Sequence, residues 1–270
     1  TSALVYYYMS DEKASSESTS NMNAIPKRYQ GLSARLTYGF RDTYMIDLNF
    51  GYTGSENFQP GRRFGFFPSV ALGWVPTQYE FMKNAKWLNF LKIRASYGTV
   101  GNDRIADKRF PYLTIVNRGS NSPWGSTSQE TLIESYIGAD NLEWEVATKF
   151  DLGIEGKLFD NRIDFVVDFF NDVRTGIYQR RVQVPSYVGL TSMPFSNVGE
   201  MRSYGADGNI SYTERLTKDL SLTLRGNFTY SKNDIDNWEE ANPAYPYQEH
   251  AGYPNGVVRG YHALGLFKDD

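Results

Sequence analysis

The sequence predicts an all-β chain, an antiparallel transmembrane β-barrel segment of about ten long strands. Three observations carry this. Apolar and polar residues alternate over windows of about 10–13 residues, where strands of ordinary globular proteins average about 5–6. The connections between windows alternate between long and short. The composition is polar yet aromatic, with 20 Tyr, 17 Phe and 24 Gly in 270 residues and only 40% hydrophobic residues. Such a chain makes sheets with one wet face and one greasy face rather than a Leu/Ala helical bundle.

The windows follow in order. Residues 1–9 are the first. In 28–40, Leu32, Ala34, Leu36, Tyr38 and Phe40 share one face, and Ser33, Arg35, Thr37 and Gly39 share the other. After Arg41-Asp42, residues Tyr44, Ile46, Leu48, Phe50 and Tyr52 alternate with Asp47, Asn49 and Gly51. Residues 64–75 and 88–98 follow, the latter setting Leu91, Ile93, Ala95 and Tyr97 against Lys92, Arg94, Ser96 and Gly98. Noisier windows at 145–157, 162–173 and 200–213 precede 219–231, where Leu220, Leu222, Leu224, Phe228 and Tyr230 oppose Ser221, Thr223, Arg225, Asn227 and Thr229. A tenth window is expected at 257–267. The stretch Gln78 to Trp87 is the one candidate helix.

Long connections are expected at 10–27, 54–63, 99–144, 174–199 and 232–256. Shorter ones fall at 41–42, 76–87, 158–161 and 214–218. Outer-membrane barrels alternate in this way, with short periplasmic turns and long extracellular loops. The longest apolar run, Ala3 to Met9, is far below the roughly 20 residues of a membrane helix. A barrel strand needs only about 9–11 residues with one apolar face, so a polar composition is compatible with it. Lys92, Arg94, Asp151, Glu155, Asp164, Asp168, Asp207 and Arg225 fall on the polar face. Charge on a lipid face costs about 2–4 kcal/mol at the midplane, so that face belongs to a wet lumen. Aromatics near the strand ends, such as Tyr38, Phe40, Tyr44, Tyr52, Trp74 and Tyr97, suit interfacial girdles.

The same composition excludes several functions. Lys+Arg is 28 and Asp+Glu 31, a net charge of -3, which argues against nucleic-acid binding. Cysteine is absent, which removes thiolate chemistry, disulfides and Fe–S clusters. His250 and His262 are the only histidines; no further ligands stand at sensible spacing, so neither a metal site nor a cofactor is expected. No phosphate loop, H-E-x-x-H or G-x-S-x-G motif occurs, and no catalytic residue is assigned; the chain does not read as an enzyme. The acidic run Asn233 to Asn237 with Glu239 and Glu240 reads as a solvated loop, with a surface cation site as the alternative. Thr1-Ser2-Ala3-Leu4 does not read as a signal peptide.

The loop aromatics Tyr112, Trp124, Tyr187, Trp238, Tyr245, Tyr247 and Tyr253 are the candidate substrate-binding residues. Planar rings set among Gly, Pro, Ser and Asn stack on sugar faces or peptide side chains, while polar neighbours supply hydrogen bonds. Packing between loops is the alternative use of the same rings.

Five ordered motifs carry a family resemblance. They are Arg63 to Trp74; Leu91 to Gly98 with Gly101-Asn102; Asn141-Leu142-Glu143-Trp144-Glu145; Asn197-Val198-Gly199-Glu200 with Gly205; and Gly252-Tyr253-Pro254 with Gly260-Tyr261 and Gly265-Leu266-Phe267. Their order and spacing resemble the TonB-dependent outer-membrane transporters of the SusC/RagA type found in Bacteroidetes, from about residue 28 onward. The resemblance implies a barrel of about 22 strands closed by a plug. It further implies import of oligosaccharides or peptides, a SusD-like surface lipoprotein as lid, and a TonB complex acting on a Ton box. Residues 1–270 would then be a partial barrel from the middle of a longer polypeptide in the bacterial outer membrane, without plug, Ton box or remaining strands. Two rivals remain at this level: a soluble β-sandwich binding or adhesin module, and a barrel enzyme that would need His250 or His262.

Overall fold

A computed structural model of the protein describes residues 1–13, 25–104, 109–190, 192–263 and 265. Nine long strands form one antiparallel sheet. They are β1 (Ser2–Glu12), β2 (Lys27–Phe40), β3 (Tyr44–Ser55), β4 (Phe64–Trp74), β5 (Leu88–Asn102), β10 (Glu145–Leu158), β11 (Ile163–Arg180), β12 (Phe195–Arg215) and β13 (Ser221–Asn237). The sheet order is β1-β2-β3-β4-β5-β10-β11-β12-β13, so neighbours in the chain are neighbours in the sheet. Between β5 and β10, inside the longest connection, four short strands form ribbons: β6 (Ile115–Arg118) pairs with β9 (Leu132–Tyr136), and β7 (Ser122–Trp124) with β8 (Thr127–Gln129).

Register puts every apolar set on one side. Leu36 lies opposite Ala3 and Leu48, and Leu48 opposite Val70. Ala95 lies opposite Leu72 and Leu152, and Leu152 opposite Phe169. Because side chains alternate with a period of two, a one-residue slip anywhere would turn charges onto this face. Among the described residues nothing packs on it: Leu36 and Leu48 stay 43% and 42% exposed. A β-sandwich would seal these residues against a second sheet, so that rival is excluded. A lipid-facing wall leaves them open to acyl chains instead. The outward rings gather at both ends of the apolar band. Tyr38, Phe40, Tyr44 and Trp74 lie by the short turns; Tyr52 stacks on Phe64 at 5.0 Å, and Phe50 meets Phe66 at 5.8 Å, toward the long connections.

The two ends differ as the sequence predicts. At one end Arg41 and Asp42 both take positive φ, with the Thr43 N–H donating to the Phe40 carbonyl at 3.1 Å. That is the two-residue hairpin geometry whose twist matches flanking strands. Phe159, Asp160 and Asn161 also lie in the left-handed region. The opposite end carries the segments after β1, β3, β5, β11 and β13.

Several boundaries shift. The strands bordering 174–199 run on to Arg180 and begin again at Phe195, and β13 extends through Asn237. Above the lipid both faces meet water, so pairing continues where the alternation that announced it has faded. The expected helix at 78–87 is absent. A 3-10 turn at Pro76–Gln78 is followed by single i→i+3 bonds, such as Met82 N–H to Tyr79 carbonyl at 3.0 Å. The ten-residue stretch forms a chain of such turns rather than an α-helix.

The expected tenth strand falls partly outside the described residues, at 264, 266 and 267. Residues 257–263 form none. The Gly252 and Tyr253 backbone bonds to Ile235, and Arg259 turns back to donate to the Gln248 carbonyl at 2.8 Å, which draws this segment into the loop.

Candidate functional site: the polar wall and the loops above it

The polar face is a continuous charged wall. Arg94 sits at its centre on β5. Its Nη1 donates to Asp151 at 3.1 Å, its Nε to Glu155 at 3.0 Å, and its Nη2 to Asp168 at 2.7 Å. Lys92 also reaches Glu155 at 3.3 Å, and Lys149 pairs with Asp172 at 3.0 Å. Asp207 lies opposite Asp168 in register. Gly153 makes the arrangement fit: a Cβ there would come within 2.3 Å of the Asp168 carboxylate and 2.7 Å of the Arg94 guanidinium carbon. The planar guanidinium presents five donors in a fixed fork, so Nε, Nη1 and Nη2 each reach a different carboxylate. All eight charged residues assigned to the polar face by periodicity share it, and most are ion-paired across strands.

Toward the long-loop end the wall carries a small apolar cluster. Phe58, Ala139 and Leu142 are buried, with Tyr112, Trp144 and Tyr178 packed against them. Trp144 stacks on Phe58 at 4.8 Å and meets Phe67 edge-on at 5.3 Å. Buried Glu145 accepts hydrogen bonds from Asn102 Nδ2 at 2.9 Å and the Tyr178 N–H at 3.1 Å. Asn197 donates to the carbonyls of Glu143 and Gly176 at 3.0 and 2.7 Å, and accepts from the Glu143 N–H at 3.0 Å. The motif Asn141 to Glu145 is thus clamped to the motif beginning at Asn197. Together they seat the end of the long connection on β11 and β12.

A second cluster ties two loops together. Arg181 pairs with Glu239, which also accepts from the Val182 and Gln183 N–H groups at 3.3 and 3.1 Å. Glu240 accepts from the His250 N–H at 2.9 Å, from its Nδ1 at 2.7 Å, and from the Ala251 N–H at 3.2 Å. The acidic run is therefore not one loop. Asn233 to Asn237 finish β13, and the two glutamates bind backbone. Among the described residues no group of three or more His, Asp or Glu is placed to hold a metal.

Partial burial opposes ionisation of Glu240, but the His250 and Ala251 donors outweigh it and hold its carboxyl below the ordinary 4.5. A depressed folded value means the contribution is whole above pH 4.5 and is lost as pH falls through the lower folded value. Protection of the His250 and Ala251 amides, taken relative to their intrinsic exchange rates at each pH, is therefore expected to be high at neutral pH and to fall below about pH 4.5, in line with that linkage. Glu240→Gln should show low protection at both pH values. Protection unchanged by acid or by the substitution would contradict the latch.

The seven loop aromatics are spread over several loops. Tyr245 and Tyr247 stack at 5.5 Å with both rings exposed, Trp238 lies over His250 at 6.3 Å, and Tyr253 carries Arg259 over its face at 5.5 Å. Tyr187 is 88% exposed on the loop that Arg181 ties to Glu239. Trp124 stands exposed on β7, and Tyr112 packs half-buried in the apolar cluster. The sequence reading missed a row of rings on the polar face: Tyr6 stacks on Tyr8 at 5.7 Å, and Tyr8 on Tyr29 at 5.6 Å. The run Val5 to Tyr8 is apolar or aromatic at every position, so its alternation was invisible.

Comparison with known proteins fits this geometry. Residues 5–257 match the family described as TonB dependent receptor-like, beta-barrel. TonB-dependent receptor P39 of Formosa agariphila is 28% identical over 93% of the chain and 24% of its own length. TonB-dependent receptor SusC of Bacteroides thetaiotaomicron is 29% identical over 74% of the chain and 20% of its own length. The chain thus spans a quarter or less of these relatives. The RagAB peptide importer in its open-open state superposes with a TM-score of 0.72 at 25% identity, covering 87% of this chain and 26% of that one.

Proposed function

The chain belongs to the TonB-dependent receptor β-barrel family of the outer membrane, of the SusC/RagA type, and on that premise we propose that it forms part of the wall of an active nutrient importer. A plug and the segment that contacts TonB are carried elsewhere in the polypeptide. A SusD-like surface lipoprotein covers the long-loop end. The cargo is an oligosaccharide or a peptide; the similar RagAB peptide importer keeps the second in view.

One observation supports this reading above the others: a single sheet, tall enough to cross a bilayer, with an unpacked apolar face and an ion-paired polar face. In a wet lumen the paired wall gives a hydrated route without a deep well of either sign. The chain's part is passive: loops capture, the wall guides, and the energised plug gates.

The test is uptake by cells whose only copy of the receptor is the full-length protein. Accumulation of cargo should stop on deletion of the receptor and on collapse of the proton gradient. Uptake indifferent to the gradient would contradict the proposal.

A further inference from the structure

The lipid-facing wall carries a groove at its short-turn end. It crosses β2 to β5, is lined by Tyr38, Tyr44, Ile46, Leu72, Trp74 and Ala95, and encloses about 460 Å³. Register explains the notch. Tyr38, Ile46, Leu72 and Ala95 lie opposite one another in turn, and Ala95 is the one small side chain in that row. Strands β1 and β10 continue the sheet on either side, so no free edge forms the groove. It opens on the apolar face, away from the lumen.

The mouth of the groove is built by the segment between β4 and β5. The Leu91 N–H donates to the Thr77 hydroxyl at 3.3 Å, which holds that segment on β5. Tyr79 meets Trp74 edge-on at 6.5 Å, shares a hydrogen bond between its hydroxyl and that of Tyr44, and stacks on Phe81 at 5.6 Å. Trp74 and Tyr44 are outward-facing rings, so at Tyr79 the segment leans over the lipid side of the wall. Farther along it Phe81 and Trp87 stay 70% and 55% exposed. Exposed rings beside basic residues at a membrane–water boundary are the parts of an interfacial anchor.

Cations stand at the same end. Arg41 lies over the Phe40 ring, 5.1 Å from its centroid, and Phe40 lies opposite Tyr44 on the outward face. Lys83 takes up Glu80 at 2.7 Å, while among the described residues neither Arg41 nor Lys86 has a carboxylate partner. Arg41, Lys83 and Lys86 against Asp42 and Glu80 leave these two turns one net positive charge.

We propose that the groove is a binding site for an anionic phospholipid of the inner leaflet. One acyl chain lies along Leu72 and Ala95, and the headgroup phosphate meets Arg41 and the Tyr44 and Tyr79 hydroxyls, with Lys86 adding to the positive field. Short turns of outer-membrane barrels face the periplasm, which sets the leaflet. The groove continues the lipid-facing wall, so an acyl chain is the occupant at hand and a protein partner would have to reach it through the bilayer. An unpaired guanidinium suits a phosphate, and the net positive charge favours an anionic headgroup over a zwitterionic one. The proposal rests on the barrel's place in the membrane and not on the importer reading or its cargo.

The test uses full-length receptor purified in detergent, stripped of lipid, and titrated with phosphatidylglycerol, phosphatidylcholine or glycerol phosphate under native mass spectrometry. One phosphatidylglycerol should bind more tightly than those that follow it, and about tenfold more tightly than phosphatidylcholine, each cation being worth about fivefold. Arg41→Ala combined with Lys86→Ala should erase that preference. Ala95→Phe, which fills the groove, should weaken the first phosphatidylglycerol about tenfold, whereas Leu222→Phe, equally lipid-facing but outside the groove, should change nothing. Heat-modifiable mobility on gels confirms that each variant is a folded barrel. Equal affinity for the two lipids would mean an unspecific lipid annulus and overturn the proposal. So would displacement of the lipid by glycerol phosphate, binding untouched by either the double substitution or Ala95→Phe, or an equal loss in Leu222→Phe. Gradient-driven uptake should persist in all these variants, so failure of the lipid site and failure of the importer reading are distinguishable.

Discussion

Replacing Leu48 with arginine should destabilise the barrel by about 2–4 kcal/mol in a lipid bilayer, the depth-dependent cost of a cationic side chain on a barrel's outer face. Leu48 lies midway between Tyr44 and Tyr52 on β3, opposite Leu36 and Val70, and is 42% exposed among the described residues. From there a long side chain has no nearby interface to reach. Thr229→Arg supplies the control. Thr229 lies opposite Asp207 on the polar face, where a new cation meets a carboxylate in water. Its effect should stay within about 1 kcal/mol and favour stability, as partly exposed ion pairs do. Denaturant midpoints of the full-length receptor in phospholipid vesicles read both. Equal effects of the two substitutions would show that the faces do not see different solvents.

The second large effect is expected at Leu142. It is fully buried, packed with Phe58 and Ala139 in the small apolar cluster. Truncation to alanine should cost about 2–5 kcal/mol, the range for a buried leucine, because lost transfer energy and a residual cavity add. The loss should be local. The Asn197 clamp on Glu143 and the Trp144 stack hold the same few residues, so loosening Leu142 frees the end of the 103–144 connection, while β10 stays paired over Val146 to Leu158. Limited proteolysis of the folded receptor should therefore speed up at least tenfold within 109–140 and leave the barrel strands intact, since cleavage tracks local opening. Uniform protection in the variant would mean that the cluster does not anchor the connection.

The sheet was legible because lipid and water impose their alternation on every residue that crosses them. Leu32 to Phe40 and Leu222 to Tyr230 announce their faces residue by residue. The signal fails where the solvent is the same on both sides. Ile177 to Arg180 and Phe195 to Asn197 pair as strands above the lipid, yet their pattern is irregular and a bulge interrupts their register. The eight wall charges were placed on the right face, but the convergence of three carboxylates on Arg94 depends on register between strands far apart in sequence. The tyrosine row stayed hidden for a different reason, since Tyr6, Tyr7 and Tyr8 offer the same ring to both faces. The motif Asn141 to Glu145 was recognisable as a family feature. Its role as a clamp needed Asn197 and Phe58, which the fold alone brings to it.

Everything turns on which side of the sheet meets lipid, and single-cysteine labelling along β13 of the full-length receptor measures that most directly. These 270 residues contain no cysteine of their own. Cysteines at Thr223, Asn227 and Thr229 should react with a charged, water-soluble thiol reagent. Those at Leu222, Leu224 and Phe228 should resist it and react with a maleimide dissolved in the bilayer. Uniform reaction with the water-soluble reagent at all six positions would contradict a membrane-spanning wall.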